Sequence, residues 1–196
     1  MAQDLIVNMV FPGNLPTAIY VLGTAGWLIW FLPFPLTGWS TQTPLRRDSR
    51  ARWGLVLETI AYLLLLANPF WTRSPASWRI VCSVAFLSLA SLLSWTATRA
   101  LGRHLRFDAA LNPDHQLVRS GPYCIVRHPI YTSMFCLLLG TGFLVTPIPL
   151  LLTAIAIFIC GTEIRVRIED RLLASQFGAE FGNYRRGVSA YVPLIR

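Results

Sequence analysis

The chain contains no lysine; all 17 of its basic residues are arginine. This excludes Schiff-base chemistry and any general acid–base step that relies on a lysine amine. Charge of either sign is scarce. Charged residues make up 13% of the 196 positions, whereas hydrophobic residues make up 54%. A soluble domain carries about twice that share of charge. Folded in water, a core of this size would leave large apolar patches exposed; a bilayer accommodates them. Cysteine is also sparse. Cys82, Cys124, Cys136 and Cys160 form no CxxC pair, and three of them lie in apolar runs. Buried free thiols are expected, without a disulfide framework or a zinc site. The first apolar run is preceded by Asp4 and by no arginine. That start lacks the positive charge of a cleavable signal peptide, so the first helix is expected to be retained.

Five apolar stretches are present, at about Leu15–Leu36, Trp53–Trp71, Trp78–Thr98, Ile130–Val145 and Ile148–Thr162. The first three are long enough to cross a hydrocarbon core of roughly 30 Å as helices. The last two are shorter and are joined by Thr146-Pro147-Ile148-Pro149, which has room only for a tight turn. The pattern predicts an antiparallel helical hairpin whose helices continue into polar flanks. Trp27, Trp30, Trp39, Trp53, Trp71 and Trp78 fall in or near the ends of the first three runs, as indoles at a membrane interface do. Ser83, Ser88, Ser91, Ser94, Thr96 and Thr98 give the third run small polar residues suited to helix packing. The fold class is therefore all-α: an integral membrane bundle of about five transmembrane helices with a cytosolic segment. One domain is expected over 1–196, with a three-helix half at 1–98 and a hairpin half at 99–196.

Arginine alternates between the connections. Arg46, Arg47, Arg50 and Arg52 occupy the first, and Arg73 alone occupies the second, with Arg79 just inside the next run. Arg99, Arg103, Arg106, Arg119 and Arg127 occupy the third, and the fourth holds none. The tail carries Arg165, Arg167, Arg171, Arg185, Arg186 and Arg196. The positive-inside rule then places the N-terminus outside and the C-terminus in the cytoplasm. The third connection and the tail share one compartment. The positive charge is topological, with no soluble face on which nucleic acid could bind. Glu58 is an acidic residue in an early apolar run, five positions past Trp53. Proximity to headgroups explains it as well as function does.

All three histidines, His104, His115 and His128, fall within 25 residues. Around them the chain reads His115-Gln116-Leu117-Val118-Arg119-Ser120-Gly121-Pro122-Tyr123 and then Arg127-His128-Pro129-Ile130-Tyr131. Gly121-Pro122 forces a turn. His128 precedes a proline and is biased away from helical dihedrals. Pro129 suits the first position of the fourth long helix. A helix start of this kind offers free N–H groups to a carboxylate or phosphate, and Tyr123 and Tyr131 add flat aromatic walls. The bland alternative is a polar loop that caps a helix. The histidine separations of 11 and 13, without a carboxylate cluster, match no zinc pattern.

A second concentration is Glu163-Ile164-Arg165-Val166-Arg167-Ile168-Glu169-Asp170-Arg171. Arg165 and Glu169 are four apart on one helical face, and Glu163 and Arg167 form a similar pair. Either the pairs stitch a solvated helix end, or they form a charged site where a lipid head would arrive.

At these residues the sequence resembles the isoprenylcysteine carboxyl methyltransferase family, within a wider group of small membrane methyltransferases that includes phospholipid N-methyltransferases. The matching pattern is His115-x-Leu117-Val118-x-x-Gly121-x-Tyr123, Arg127-His128-Pro129-x-Tyr131, Arg165-x-x-x-Glu169, Phe177-Gly178-x-x-Phe181-x-x-Tyr184 and Val192-Pro193. It covers roughly residues 100 to 196. The resemblance implies a membrane enzyme that uses S-adenosyl-L-methionine on a lipophilic acceptor entering from the bilayer. It implies cofactor contacts from His115, Gln116, Leu117, Val118, Tyr123, His128, Tyr131 and Glu169. It implies that Arg165 binds the substrate head group, with Arg165 and Glu169 as the catalytic pair. Two positions depart from the family pattern: Asp108 replaces an amide upstream of the HxLV element, and Phe181 replaces a tyrosine. Three other readings remain: N-methylation of a phospholipid amine, an NADPH-dependent membrane reductase of related architecture, and a non-catalytic membrane scaffold. A reductase would be longer, and the chain has no G-x-G-x-x-G turn.

Overall fold

The computed structural model describes residues 17–38, 46–67, 75–106, 110–111 and 116–191. His115, Asp108, Trp39, Trp71, Arg73, Val192 and Pro193 lie outside the described residues. The chain is predominantly helical. Its helices are α1 (Thr17–Phe31), the short α2 (Pro33–Thr37), α3 (Ala51–Leu66), α4 (Ser77–Leu101), α5 (Pro129–Val145) and α6 (Ile148–Gly187). One antiparallel pair of two-residue strands, β1 (Arg46–Arg47) and β2 (Ala110–Leu111), ties the first connection to the third.

Among the described residues, three segments are long and apolar enough to cross a membrane: Ile19–Thr37, Ser77–His104 and the 40-residue helix Ile148–Gly187. α5 is apolar but has only 17 residues. α3 has 16 residues, about 24 Å at 1.5 Å per residue. These are the features of an integral membrane protein. Outward-facing side chains such as Leu28, Leu63, Val81, Leu92 and Leu152 are exposed and would lie against lipid.

Lipid tails are as apolar as leucine, so close van der Waals contact and interhelical hydrogen bonds must hold the bundle together. Both are present. Leu87 of α4 fills a notch between Gly26 of α1 and Gly140 of α5. A Cβ at either glycine would lie 2.9 Å or 2.8 Å from its side chain. Gly54 of α3 meets Gly161 of α6 just as closely, and a Cβ on Gly161 would lie 2.7 Å from the Gly54 carbonyl. Ser94 donates to the Trp30 carbonyl at 2.7 Å, and Tyr62 donates to the Met134 carbonyl at 2.7 Å. Trp27 and Trp30 were expected only as interfacial indoles. They donate to Thr141 and Ser133, each at 3.0 Å, and so bind α1 to α5.

The turn after α5 is tight, as its prolines require, and Pro147 caps α6 with Ile148 as its first residue. The two hairpin helices nevertheless pack mainly on other partners: α5 runs along α4, and α6 runs along α3. Arg79, buried at the start of α4, closes this end. It donates to the carbonyls of Phe143 at 2.7 Å, Gly142 at 3.2 Å and Thr146. The cysteine expectation needs correction. All four thiols are free, but only Cys136 is buried; Cys82 is half-buried, and Cys124 and Cys160 are exposed. An apolar run in a bilayer protein has a lipid side as well as a core side, and periodicity alone did not assign the thiols to either.

α6 extends far past its apolar stretch and then bends. Gly178 adopts φ 51° and ψ −122°, a conformation in which a Cβ would be strained. The bend lets residues 179–187 run beside the loop that precedes α5.

Candidate active site

The site forms where the start of α5 meets α6, some 17 residues beyond Ile148 and so roughly 26 Å along the helix axis. Gly121-Pro122 opens a 3-10 turn, Gly121–Cys124, with Tyr123 buried in it. His128 follows with φ −125° and ψ 62°, and Pro129 occupies the first turn of α5. The sequence-based reading of this corner holds in each detail. A nonhelical residue before proline ends the loop, and the helix begins where the missing N–H costs nothing.

His128 is buried between two carboxylates. Its Nδ1 lies 3.3 Å from Glu169 and its Nε2 lies 3.0 Å from Asp170. Burial alone would lower its pKa, but the hydrogen bonds to Asp170 and Glu169 outweigh that and push it up to about 9. The two carboxylates favour the imidazolium form, with Nε2 hydrogen-bonded to Asp170 and Nδ1 within ion-pair distance of Glu169. Asp170 also accepts from Arg127 at 3.0 Å. Glu169 accepts from the Tyr131 hydroxyl in a short hydrogen bond. The guanidinium of Arg165 lies over the Tyr131 ring, 4.8 Å from its centroid. Arg165 donates to Glu58 of α3 at 2.8 Å, and Thr162 donates to the other oxygen of Glu58 at 3.0 Å.

The loop and the tail are stitched together. The Arg127 and His128 amides donate to the carbonyls of Ser189 and Ala190, each at 2.8 Å. Val126 and Ser189 form an isolated parallel bridge. Arg127 also donates to the Val188 carbonyl. Thr132 donates to the Tyr191 carbonyl at 2.7 Å, and the Tyr191 hydroxyl donates to Glu163 at 3.2 Å. Tyr184, beyond the Gly178 bend, donates to the Tyr123 carbonyl at 2.6 Å. Arg119 pairs with Glu180 and covers the Tyr184 ring.

The structure thus gathers Tyr123, His128, Tyr131, Arg165 and Glu169 into one region. Leu117 and Val118 are half-buried and Gln116 is exposed, just upstream of Arg119. Arg165 and Glu169, four apart on one helical face, both meet Tyr131 and act on each other electrostatically; Arg165 also reaches across to Glu58, and Glu169 to His128. The companion pair, Arg167 and Glu163, forms as expected at 2.7 Å on an exposed face. For Glu58 the sequence leaves headgroup proximity and function as equal readings. The residue is 1% exposed and belongs to the site. Its signal was present in the sequence as a carboxylate inside an apolar run, but its partner lies 107 positions away. Arg127 lies in the Arg127-His128-Pro129 element and Asp170 in the charged stretch, but neither is assigned a site role from sequence; the structure pairs them at 3.0 Å.

The phospholipid methyltransferase family profile matches residues 78–180. The chain is 33% identical to a protein-S-isoprenylcysteine O-methyltransferase of Schizosaccharomyces pombe over 116 residues, 58% of this chain and 49% of that protein. It is 29% identical to the cobalt-zinc-cadmium resistance protein CzcN of Cupriavidus metallidurans over 153 residues, 77% of this chain and 66% of that protein. It is 35% identical to the nickel-cobalt-cadmium resistance protein NccN of Alcaligenes xylosoxydans xylosoxydans over 155 residues, 77% of this chain and 67% of that protein. The chain thus spans about half the length of the first of these relatives and about two thirds of the other two. The matched region holds α4, α5 and the part of α6 that carries Arg165, Glu169 and Asp170, and on that ground the chain belongs to the phospholipid methyltransferase family.

Proposed function

We propose that this chain transfers a methyl group from S-adenosyl-L-methionine to a lipophilic acceptor entering from the bilayer, the acceptor group being a carboxylate of isoprenylcysteine type. One observation carries the reading. A buried line of charge runs from Glu58 and Arg165 through Tyr131 and Glu169 to His128, Asp170 and Arg127, at the end of an apolar bundle. Nothing about holding helices together in lipid requires two buried carboxylates, Glu58 and Asp170, with a half-buried third, Glu169, beside them, each expensive unless paired.

The residues suit the cofactor. Glu169 offers a carboxylate to a cationic group, and the first-turn N–H groups of α5 suit the cofactor's own carboxylate. Gln176, two turns beyond Glu169 on the same helix, has a buried Oε1 that accepts no hydrogen bond among the described residues. His115, Gln116, Leu117, Val118, Tyr123, His128 and Tyr131 complete the proposed cofactor contacts. When bound, the cofactor supplies a methyl group already activated on a sulfonium. The chain's part is to align the acceptor and exclude water. Arg165 orients the acceptor carboxylate by a charge-assisted pair. Glu169 holds Tyr131 and His128 in place.

Charge favours a carboxylate acceptor. Arg127, His128 and Arg165 face Glu58, Glu169 and Asp170, so the set is close to neutral. A sulfonium adds one positive charge, and an anionic acceptor cancels it. The family profile favours a second reading, a phospholipid amine, for which Glu169 would accept the proton. The arginine pattern supports a site at the cytoplasmic face, with the N-terminus outside.

The test is calorimetry on purified protein with S-adenosyl-L-methionine, S-adenosylhomocysteine and NADPH, beside the variant Arg165→Ala. Binding of the first two, with turnover lost but binding retained in the variant, is the expected result. No binding of S-adenosyl-L-methionine to the wild type ends the proposal. Labelled-cofactor assays on lipid extracts separate carboxylate from amine products.

A further inference from the structure

Glu58 belongs to α3, outside the segment 78–180 that the family profile matches. A buried carboxylate in an apolar helix is costly unless both oxygens find partners. Here both do. Thr162 donates to one and Arg165 to the other, so the carboxylate cannot rotate. Arg165 is in turn caught between this carboxylate and the Tyr131 ring. The contact depends on a backbone meeting one turn away, where Gly54 and Gly161 approach too closely for a side chain on either. The turn 54–58 of α3 is therefore built against the turn 161–165 of α6.

We propose that Glu58 is a positioning residue that sets acceptor recognition: it fixes the direction of Arg165 and competes with the acceptor carboxylate for the same guanidinium. This rests on the function proposed above. The competition holds ground-state affinity down, and the fixed direction keeps the acceptor oxygen in line with the reacting carbon. Removing the charge while keeping the shape abolishes both effects, and restoring the charge on a shorter arm separates them. A substitution that lowers KM and kcat together has removed ground-state opposition and transition-state alignment at once.

The experiment uses full-length protein in lipid nanodiscs, with amine-blocked S-farnesylcysteine as the probe acceptor and its carboxamide as a competitor. Glu58→Gln is isosteric and keeps one acceptor oxygen for Arg165, while its amide NH2 donates to the Thr162 hydroxyl in place of accepting from it. Its expected KM for the probe falls about tenfold, equivalent to about 1.4 kcal/mol, and kcat falls by a similar factor. Inhibition by the carboxamide is unchanged, because it carries no charge to compete. Glu58→Asp restores the charge; KM returns toward the wild-type value while kcat stays low, because the shorter arm misplaces Arg165. A KM in Glu58→Gln that is unchanged or raised overturns the proposal. So does an equal effect on the carboxamide. S-adenosylhomocysteine affinity is measured in every variant. If the wild type neither binds it nor methylates the probe, the failure belongs to the proposed function. If the wild type does both and KM ignores position 58, the failure belongs to Glu58.

Discussion

The Nε2 of His128 lies 3.0 Å from Asp170 while its Nδ1 lies 3.3 Å from Glu169, so one imidazole bridges two adjacent residues of α6. Because helix neighbours point about 100° apart, only a ring wedged against the helix can reach both. His128 thereby locks the loop before α5 to α6, and the lock depends on its proton.

That dependence predicts a pH profile. The folded-state pKa of His128 is raised to about 9 from an ordinary 6.5. The native state therefore holds the proton more tightly than the unfolded chain. The stabilisation is fully present below about pH 6.5 and is lost as the pH rises through about 9. Its size is on the order of 3 kcal/mol. Arg127, Tyr131, Glu169 and Asp170 are the groups that face the ring and its two carboxylate partners. Thermal unfolding in detergent from pH 6 to pH 10 should show falling stability in the wild type and a flatter profile in His128→Asn. Equal slopes would contradict the assignment.

The glycine contact between α3 and α6 predicts an opposed pair of substitutions. Gly161→Ala would put a Cβ 2.7 Å from the Gly54 carbonyl, forcing the helices apart. We expect a loss of roughly 2 kcal/mol, in the range for overpacking. Gly182 has open space around its Cβ position. Gly182→Ala should be neutral or gain up to about 1 kcal/mol by restricting the unfolded chain. Midpoints of thermal unfolding for the two variants should move in opposite directions, or only the first should fall.

Arg79 serves the far end of the bundle. It satisfies the carbonyls of Phe143, Gly142 and Thr146 at the turn into α6. Arg79→Met leaves buried oxygens without their donor. The expected cost is about 3 kcal/mol, with S-adenosylhomocysteine affinity unchanged because the site lies at the other end. Weakened ligand binding in protein that is still folded would show that the two ends are coupled.

Much of the site was legible because it is local. Gly121-Pro122, His128-Pro129 and the spacing of Tyr123 and Tyr131 prescribe a turn, a nonhelical residue and a helix start, and the backbone has each of them. The long continuation of α6 past Thr162 followed from its charged periodicity. Glu58 was not legible as a site residue. A lone carboxylate near a helix end reads the same whether it faces headgroups or a buried arginine. The Arg165–Glu169 spacing does bring both groups to Tyr131, but it does not reveal the Glu58 partner, for a related reason. Residues four apart can pair on an isolated helix for a few tenths of a kcal/mol, and a buried partner on another helix outweighs that.

By itself the sequence determined the helical membrane character, the order and approximate extent of the helices, and the corner at His128-Pro129. Hydropathy and backbone dihedral preferences act over a few residues, and no other part of the chain is needed to express them. Only the tertiary structure decided that Arg165 pairs with Glu58, that His128 sits between Glu169 and Asp170, and that residues 188–191 close over the loop. Buried charges take whichever partner the packed helices bring within reach, and here the meeting of Gly54 with Gly161 and the bend at Gly178 set that reach.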